Sequence, residues 1–514
     1  MLRIGIDVGG TNTDAVVMDG NAVLSAIKAI TTENVISGAR NAMEMAIAAS
    51  GVTRGAIRHV MIGTTHFTNA VVERKHLSEV AAIRLGLPAA ACLPPMVDWP
   101  RDLRSAVGGH GFMLRGGYEF DGRVLSELDL DGLDAIAETI VAKGIGAASI
   151  TSIFGPINDA MEIAARDHLI GRVPQLKVVL SSEIGRIGLL ERESAAILNA
   201  SLLSLAERTV AAFELALRDV GLSCGFSITQ NDGTLMSADK VRRFPVLTFA
   251  SGPTNSMRGA AFLTGIKDAI VVDIGGTTSD IGILVNGFPR QASTTVDIGG
   301  VRTNFRMPDV FAVGLGGGSL VSADGSSIGP QSVGYRITSE ALVFGGKTLT
   351  ATDIIVASGQ AEIGDAGATA GVSANTLQQA LRTIEMTLSR AVDRCRTSAE
   401  AVPVIAVGGG SILMPDRLGD LVTMRPENFG VANAVGAAIA QISGEVDRVF
   451  SLGRMSREDA LASAEAEARA GAVAAGAMAQ SLEVIEREDV PLAYLPGNAT
   501  RIRVRVVGDM DPAA

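Results

Sequence analysis

Two distant stretches of this chain carry the same polar residues at the same spacing. Near the start stands Asp7-Val8-Gly9-Gly10-Thr11-Asn12-Thr13-Asp14, and in the second half stands Asp273-Ile274-Gly275-Gly276-Thr277-Thr278-Ser279-Asp280. Both read DxGGTxxD with an apolar run on each side. The glycines permit the positive φ of a tight turn and let backbone amides approach an anion with no Cβ in the way. With the threonine hydroxyls as further donors, Gly9, Gly10, Thr11, Asn12 and Thr13 form one candidate phosphate loop, and Gly275, Gly276, Thr277 and Thr278 form a second. The leading carboxylates, Asp7 and Asp273, fall at strand ends, where they can hold Mg²⁺ or its waters and orient an attacking water. Asp14 and Asp280 are read as braces of the turns. One Gly-Gly hairpin is ordinary. Two matching copies are what a nucleotide gripped between related lobes needs, one turn on each side of the phosphates.

The elements that must position these turns read as alternating strands and helices. At 514 residues the chain exceeds one hydrophobic core, so several domains and a cleft between them are expected. Residues 1–85 read as strand, turn, strand, a helix over Asn34–Ser50 and a strand at His59–Ile62. A Pro- and Ala-rich break over 87–100, then Gly108-Gly109-His110-Gly111, predicts a loop-rich insertion facing the substrate. Helix, strand and helix recur over Asp129–Ile170, a strand covers Val178–Ser181, and a long helix covers Leu189–Val220. Asn231-Asp232-Gly233 predicts a hairpin. The expected divisions are 1–175, a first lobe; 176–448, a second lobe; and 449–514, a small appended helix and strand, with the helix near Ser456–Glu486 and the strand at Thr500–Val507.

Composition narrows the function classes. A net charge of −11 and 4% aromatics disfavour nucleic acid, which needs cations along a backbone and rings for stacking. No apolar run approaches the roughly 18 residues of a membrane span, and the N-terminus leads straight into a strand pattern, so a cytoplasmic, non-membrane protein is expected. Cys92, Cys224 and Cys395 are too scattered for a disulfide framework or a zinc cluster. The five histidines lack metal-ligand spacing, His110 being the one worth testing. Glu183 and Glu191-Arg192-Glu193 read as solvated charges, although Glu183 follows a strand. Ala341–Thr348 imitates a P-loop, but alanine replaces its first glycine, so a plain loop is expected.

The motifs together resemble the hydantoinase/oxoprolinase family over roughly residues 1–445. They are the first hairpin, Gly63-Thr64-Thr65-His66-Phe67-Thr68-Asn69, Ser251-Gly252-Pro253, the second hairpin, Asp309 with Gly314–Ser319, Thr352-Asp353, and Gly408-Gly409-Gly410-Ser411, in the family's order. The resemblance implies an α/β fold of the actin-like ATPase and sugar kinase superfamily, two RNase H-like lobes around a nucleotide cleft. It implies ATP and Mg²⁺ as cofactors, with Asp7 and Asp273 at the metal. Asp309 joins Asp7 and Asp273 as the catalytic set, Gly316, Gly317, Gly318 and Ser319 border the cleft, and Gly408, Gly409, Gly410 and Ser411 lie at the adenosine. Thr64, Thr65 and Asn69 line the substrate side or cap a helix. The chain departs from the family at Gly329–Tyr335, at His66-Phe67 and in its short C-terminal part, which bears on the substrate more than on ATP.

The activity so implied is ATP-dependent ring opening of a cyclic amide such as a hydantoin, oxoproline or lactam, by phosphorylation of the carbonyl oxygen. An oligomer and a second hydantoinase-type subunit are the expected partners. A small-molecule kinase and an ATP-driven conformational switch are the alternatives that the residues leave open.

Overall fold

The computed structural model describes residues 1–9, 12–30, 35–292, 295–396, 402–453, 455–493 and 498–511. The first sheet starts with β1 (Leu2–Val8), β2 (Asn12–Asp19), β3 (Ala22–Ile30), β4 (His59–Thr64), β5 (Gly225–Thr229) and β6 (Thr234–Ser237). The second lobe holds β7 (Ala269–Ile274), β8 (Ser279–Val285), β9 (Phe288–Pro289), β10 (Val310–Val313), β11 (Val404–Val407) and β12 (Leu421–Met424). The central order is β3-β2-β1-β4-β5 in the first lobe and β9-β8-β7-β11-β12 in the second. In each, three antiparallel strands are followed by parallel ones. The repeated motif is therefore the surface of a repeated topology, and the actin-like two-lobed α/β fold expected from the sequence is present.

The lobe boundaries differ from those expected. Three tail strands, β13 (Gln441–Ser451), β14 (Glu483–Pro491) and β15 (Ala499–Gly508), extend the first sheet in the order β14-β15-β13-β6, making it nine-stranded. The helix Arg457–Ala474 packs on this extension through Ala460, Ala464 and Ala468 against Ile502, Val504 and Val506. The described strands of segment 449–514 thus form the edge of the first lobe, and 225–237 belongs to that lobe as well. The divisions at 175 and 448 miss this because strands adjacent in a sheet are hundreds of residues apart in the chain. The expected helix to Glu486 also stops early, at Ala474; Gly476 has φ +99°, and the alternation from Glu483 onward forms β14 instead.

Between β4 and β5 the chain builds a separate four-stranded parallel sheet from Val80–Leu87, His110–Arg115, Ala147–Ser152 and Lys177–Leu180. The helix α1 (Leu189–Val220) joins it to the main lobe, and its Ala195, Leu198, Leu202 and Phe213 share a core with Ile4, Ile6 and Ile62. By length and composition α1 is the one described helix that could cross a membrane, but most of it is buried in this core. Its Arg192 and Glu193 are buried too, Arg192 donating to Ser181 Oγ and Glu193 pairing with buried Arg84. These charges are structural rather than solvated.

Two short helices lie between the lobes, α2 (Ser251–Thr264) and α3 (Ala432–Ala438). Small residues let them touch backbone to backbone. A Cβ on Gly259 would stand 1.9 Å from Ala432 O, and one on Gly436 would stand 1.8 Å from Asn255 O. Gly259→Ala or Gly436→Ala should therefore force the helices apart at a cost of about 1–3 kcal/mol. A lower thermal unfolding midpoint, read by circular dichroism, is the expected outcome; an unchanged midpoint would show that the helices do not meet so closely.

Candidate active site

Each motif joins two antiparallel strands. Gly9 N donates to Asn12 O at 3.0 Å and Gly275 N to Thr278 O at 2.9 Å. The register then places Asp7 opposite Asp14 and Asp273 opposite Asp280. DxGGTxxD is thus a device for setting two carboxylates side by side on one face of a sheet, directly below an amide-bearing turn. Gly10 and Thr11, two of the expected loop residues, lie outside the described residues. Of the second turn, neither the Gly276 nor the Thr277 amide has a partner among the described residues, so both are available to an anion.

The neighbouring parallel strand supplies a glycine in both lobes. Asp7 is in register with Gly63, where a Cβ would stand 2.2 Å from Asp7 Oδ1. Gly408 follows Val407, the register partner of Asp273; its φ is +83°, and a Cβ there would stand 2.2 Å from Asp273 Oδ1. No other residue type leaves room for these carboxylates.

The two helices between the lobes bring both hairpins to one cleft. On α2, Asn255 Nδ2 donates to Asp7 Oδ1 at 3.1 Å and to Thr229 Oγ1 at 3.0 Å, while the next residue, Ser256, hydrogen-bonds Asp273. On α3, Asn433 Nδ2 donates to Asp7 Oδ2 at 3.1 Å and Asp14 Oδ2 at 2.8 Å. Lys28 Nζ pairs with Asp14 at 2.7 Å and its charge also reaches Asp273. The hairpins thus face each other across a shared site. The sequence reading did not find Asn255, Ser256, Asn433 or Lys28. Asn255 stands two residues after the Ser251-Gly252-Pro253 motif, and the small residues around Asn433 were the available sign of a tight helix crossing.

The glycine loops divide by what their amides do. In Gly316–Ser319, Gly317 N donates to Gly275 O, Gly318 N to Gly276 O and Gly316 N to Ser319 Oγ, all within 3.0 Å. Thr352 Oγ1 donates to Gly317 O at 2.9 Å, and Asp353 caps its own helix from Thr350. This loop is buried and its amides are spent, so it supports the second turn from behind instead of offering donors to a ligand. In Gly408–Ser411 the amides of Gly408, Gly410 and Ser411 are also engaged, but Gly409 is exposed and lies beside Lys28. This loop therefore packs on the second hairpin and faces Lys28, the partner of Asp14. Ser411 Oγ is buried with no hydrogen-bond partner among the described residues.

Asp309 is not brought to the turns. It precedes β10, whose Val310 is in register with Gly282, and its carboxylate pairs with Arg290 at 2.6 Å on the surface. The family resemblance placed it at the cleft, but β10 runs antiparallel along β8, so the residue before β10 lies away from the turn. Thr64 ends β4 and Thr65 follows it; Thr64 Oγ1 accepts from His66 N at the start of the next helix, and Thr65 Cγ2 lies 3.6 Å from a Cβ position on Gly252. Glu183 pairs with Arg243 away from Asp7, and His59, His110 and His168 sit with Ser227, Glu79 and Asp134 respectively. Around Gly346 the P-loop imitation turns inward, its amide donating to Ala341 O at 2.9 Å.

Burial is the dominant electrostatic force here. It pushes Asp7 up to about 6, aided by the charges of Asp14 and Asp273 and opposed by the amide donors of Asn255 and Asn433. It pushes Asp280 up to about 7, with Asp273 adding repulsion; Asp14 and Asp273 are raised as well. Among the described residues no three His, Cys, Asp or Glu side chains converge as a metal cage. The donor set fits Mg²⁺ held by one or two carboxylates with phosphate oxygens and waters completing the shell.

Sequence comparison decides the family. The model of the hydantoinase/oxoprolinase N-terminal region matches residues 3–170, and the hydantoinase/oxoprolinase model matches residues 192–365. The chain belongs to the hydantoinase/oxoprolinase family. Within that family's range, the acetophenone carboxylase gamma subunit of Aromatoleum aromaticum is 29% identical over 254 residues, 46% of this chain and 34% of that one. Caprolactamase subunit alpha of Pseudomonas jessenii is 27% identical over 385 residues, 70% of this chain and 54% of that one. The chain therefore spans a third to about half the length of these curated relatives. The structure of the ATP-dependent caprolactamase from Pseudomonas jessenii superposes with a TM-score of 0.78 at 18% identity, covering 99% of this chain and 88% of that one. Nucleotide-free acetone carboxylase does so with a TM-score of 0.69 at 17% identity, again covering 99% and 88%. At such identities the hydantoinase/oxoprolinase likeness in three dimensions establishes the fold.

A cation binds the ionised carboxylates, so the affinity for Mg²⁺-nucleotide should climb as pH rises through 6 and 7, where Asp7 and Asp280 lose their protons, and level off above. Asn433→Ala removes a donor that favours the ionised form of Asp7 and should move this climb to higher pH. Nucleotide titrations between pH 5 and 9 by fluorescence read both effects, and a profile flat across that range would remove these carboxylates from the metal.

Proposed function

We propose that this protein performs ATP-dependent ring opening of a cyclic amide. The observation that carries the reading is the meeting of two DxGGTxxD hairpins at one cleft, in a chain of the hydantoinase/oxoprolinase family. A relative whose name is caprolactamase and a structural neighbour described as ATP-dependent caprolactamase support the choice of substrate class.

An unactivated amide is a poor electrophile. ATP with Mg²⁺ supplies a phosphoryl group that turns the amide oxygen into a leaving group. The chain's own part is positioning and charge. The Gly276 and Thr277 amides face the phosphates as donors, with no side chain to displace. Asp7 and Asp273, one from each lobe, supply the carboxylate oxygens for the metal. Asn255 and Asn433 hold both oxygens of Asp7, so its orientation costs nothing at the moment of reaction. Thr64 and Thr65, at the end of β4 on the Asp7 side, are placed to meet the ring. Water addition to the activated ring is assigned to a second polypeptide, in keeping with relatives that are named as subunits. The same reading takes the chain to work in the cytoplasm within an oligomer.

Asp7→Ala and Asp273→Ala should each reduce ATP turnover about 10²–10³-fold, in the range of other losses of preorganised charge. Circular dichroism should show the fold intact. With ATP, Mg²⁺ and a panel of hydantoins, 5-oxoproline and lactams, ring-opened product with ADP and free phosphate is the expected result. A stable phosphorylated product would instead make the protein a small-molecule kinase, and ATP turnover indifferent to every ring would make it a switch.

A further inference from the structure

A cavity of about 680 Å³ lies at the other end of the same strands, behind the site. Its walls come from both lobes. Arg3 of β1 and Gln441 of β13 stand on one side, and Lys267 and the Asn286-Gly287-Phe288 turn on the other, with Arg258 of α2 between. Arg258 is more than nine-tenths buried, yet no carboxylate forms an ion pair with it among the described residues. Its guanidinium lies 3.8 Å over the Phe288 ring, Nη1 donates to Gly287 O at 2.7 Å and Nη2 reaches Gln441 Oε1 only at 3.4 Å. Among the described residues its Nε and Arg3 Nε, both shut off from solvent, have no hydrogen-bond partner, while Arg3 Nη2 donates to Gly20 O at 3.0 Å. The acids on the wall are Asp509 and Glu483; Asp509 accepts from Gln441 at 3.0 Å, and Glu483 is exposed. Three cationic side chains, Arg3, Arg258 and Lys267, thus share the wall with these two acids, of which Asp509 acts on Arg3.

We propose that this cavity is a second ligand site, which takes a small oxyanion, carboxylate or phosphate, on Arg258, Arg3 and Lys267. Arg258 Nη2, held only at 3.4 Å, together with Arg3 and Lys267 on the wall, supplies cationic N–H donors for the oxygens of such a group. Burial and the neighbouring Arg505 pull Arg258 down to about 10, and the charge of Asp232 only partly opposes them.

Occupancy is coupled to the nucleotide cleft. Arg258 lies within one turn of Asn255, which holds Asp7, and of Ser256, which holds Asp273. The α2–α3 contact lies between the lobes, with the turns in front of it and the cavity behind. An anion that ties the lobes together behind this pivot holds the front open, so it lowers nucleotide affinity, and linkage makes the effect reciprocal.

The test is calorimetric titration of the intact protein with sodium succinate and, separately, sodium phosphate at constant ionic strength, each without nucleotide. One saturable site per chain is expected, weakened about tenfold or more in Arg3→Met and Arg258→Met. Lys267→Met and Arg3→Met lie nearer the rim, so they carry the test if the buried substitution disturbs the fold. Saturating anion should weaken Mg²⁺-ADP binding about fivefold or more in the wild type and leave it unmoved in Arg3→Met. Whether succinate or phosphate binds more tightly separates a carboxylate site from a phosphate site. The absence of saturable heat with both anions would overturn the proposal. So would binding that persists in Arg3→Met and is displaced by Mg²⁺-ADP, because the ion would then sit on the turns. The ring-opening reading relies on the nucleotide arm alone, so its failure leaves the anion titration unaffected.

Discussion

The structure depends on keeping Asp7 buried and still ionisable. A carboxylate taken out of water and set opposite a second one is driven toward its neutral form. Asn255 from α2 and Asn433 from α3 oppose this, one on each oxygen, and both helices must lie against the end of β1 to do so. Gly63 makes space for the first contact, and the Gly259 and Gly436 contacts make space for the helices. The crossing of the lobes and the chemistry of the first hairpin are therefore one packing problem. A helix displaced by an ångström would take from the buried carboxylate one of its two amide donors.

The two hairpins share a motif and differ in what surrounds it. Asp14 has Lys28 and Asn433 as neighbours, whereas the pKa of Asp280 is raised to about 7 by burial and by Asp273, with no cation to offset them. The first hairpin has a direct ion pair from its own sheet; the second has only the Lys28 charge that reaches Asp273 from across the cleft. A duplicated element has thus come to have one settled half and one half that a bound cation would stabilise.

Much of the frame could be read from the residues. The DxGGTxxD repeat disclosed the duplicated lobes, because strand, turn and paired carboxylates all lie within eight residues. Leu189–Val220 was found as one helix for a similar reason, its periodicity being long and local. What escaped was set at long range. Asp309 stands near the glycine loop in the chain, but strand pairing with β8 carries it to Arg290. Gly316–Ser319 looks like a phosphate loop, yet its amides are bound to Gly275 O, Gly276 O and Ser319 Oγ, which no single-strand pattern reveals. Asn433 lies more than four hundred residues from the carboxylate it holds. The tail gave no sign of joining the first sheet, since β-pairing with β6 depends on where two distant ends meet.

That joining has a consequence for how the chain is made. The second sheet is drawn from one continuous stretch, 269–424, and can close as soon as that stretch has left the ribosome. The first sheet cannot: β6 waits for β13, and Asp7 waits for Asn433. Until those residues emerge, the nascent first lobe presents an unpaired strand edge, the feature that most readily recruits other chains. The lobe synthesised first is therefore the one completed last.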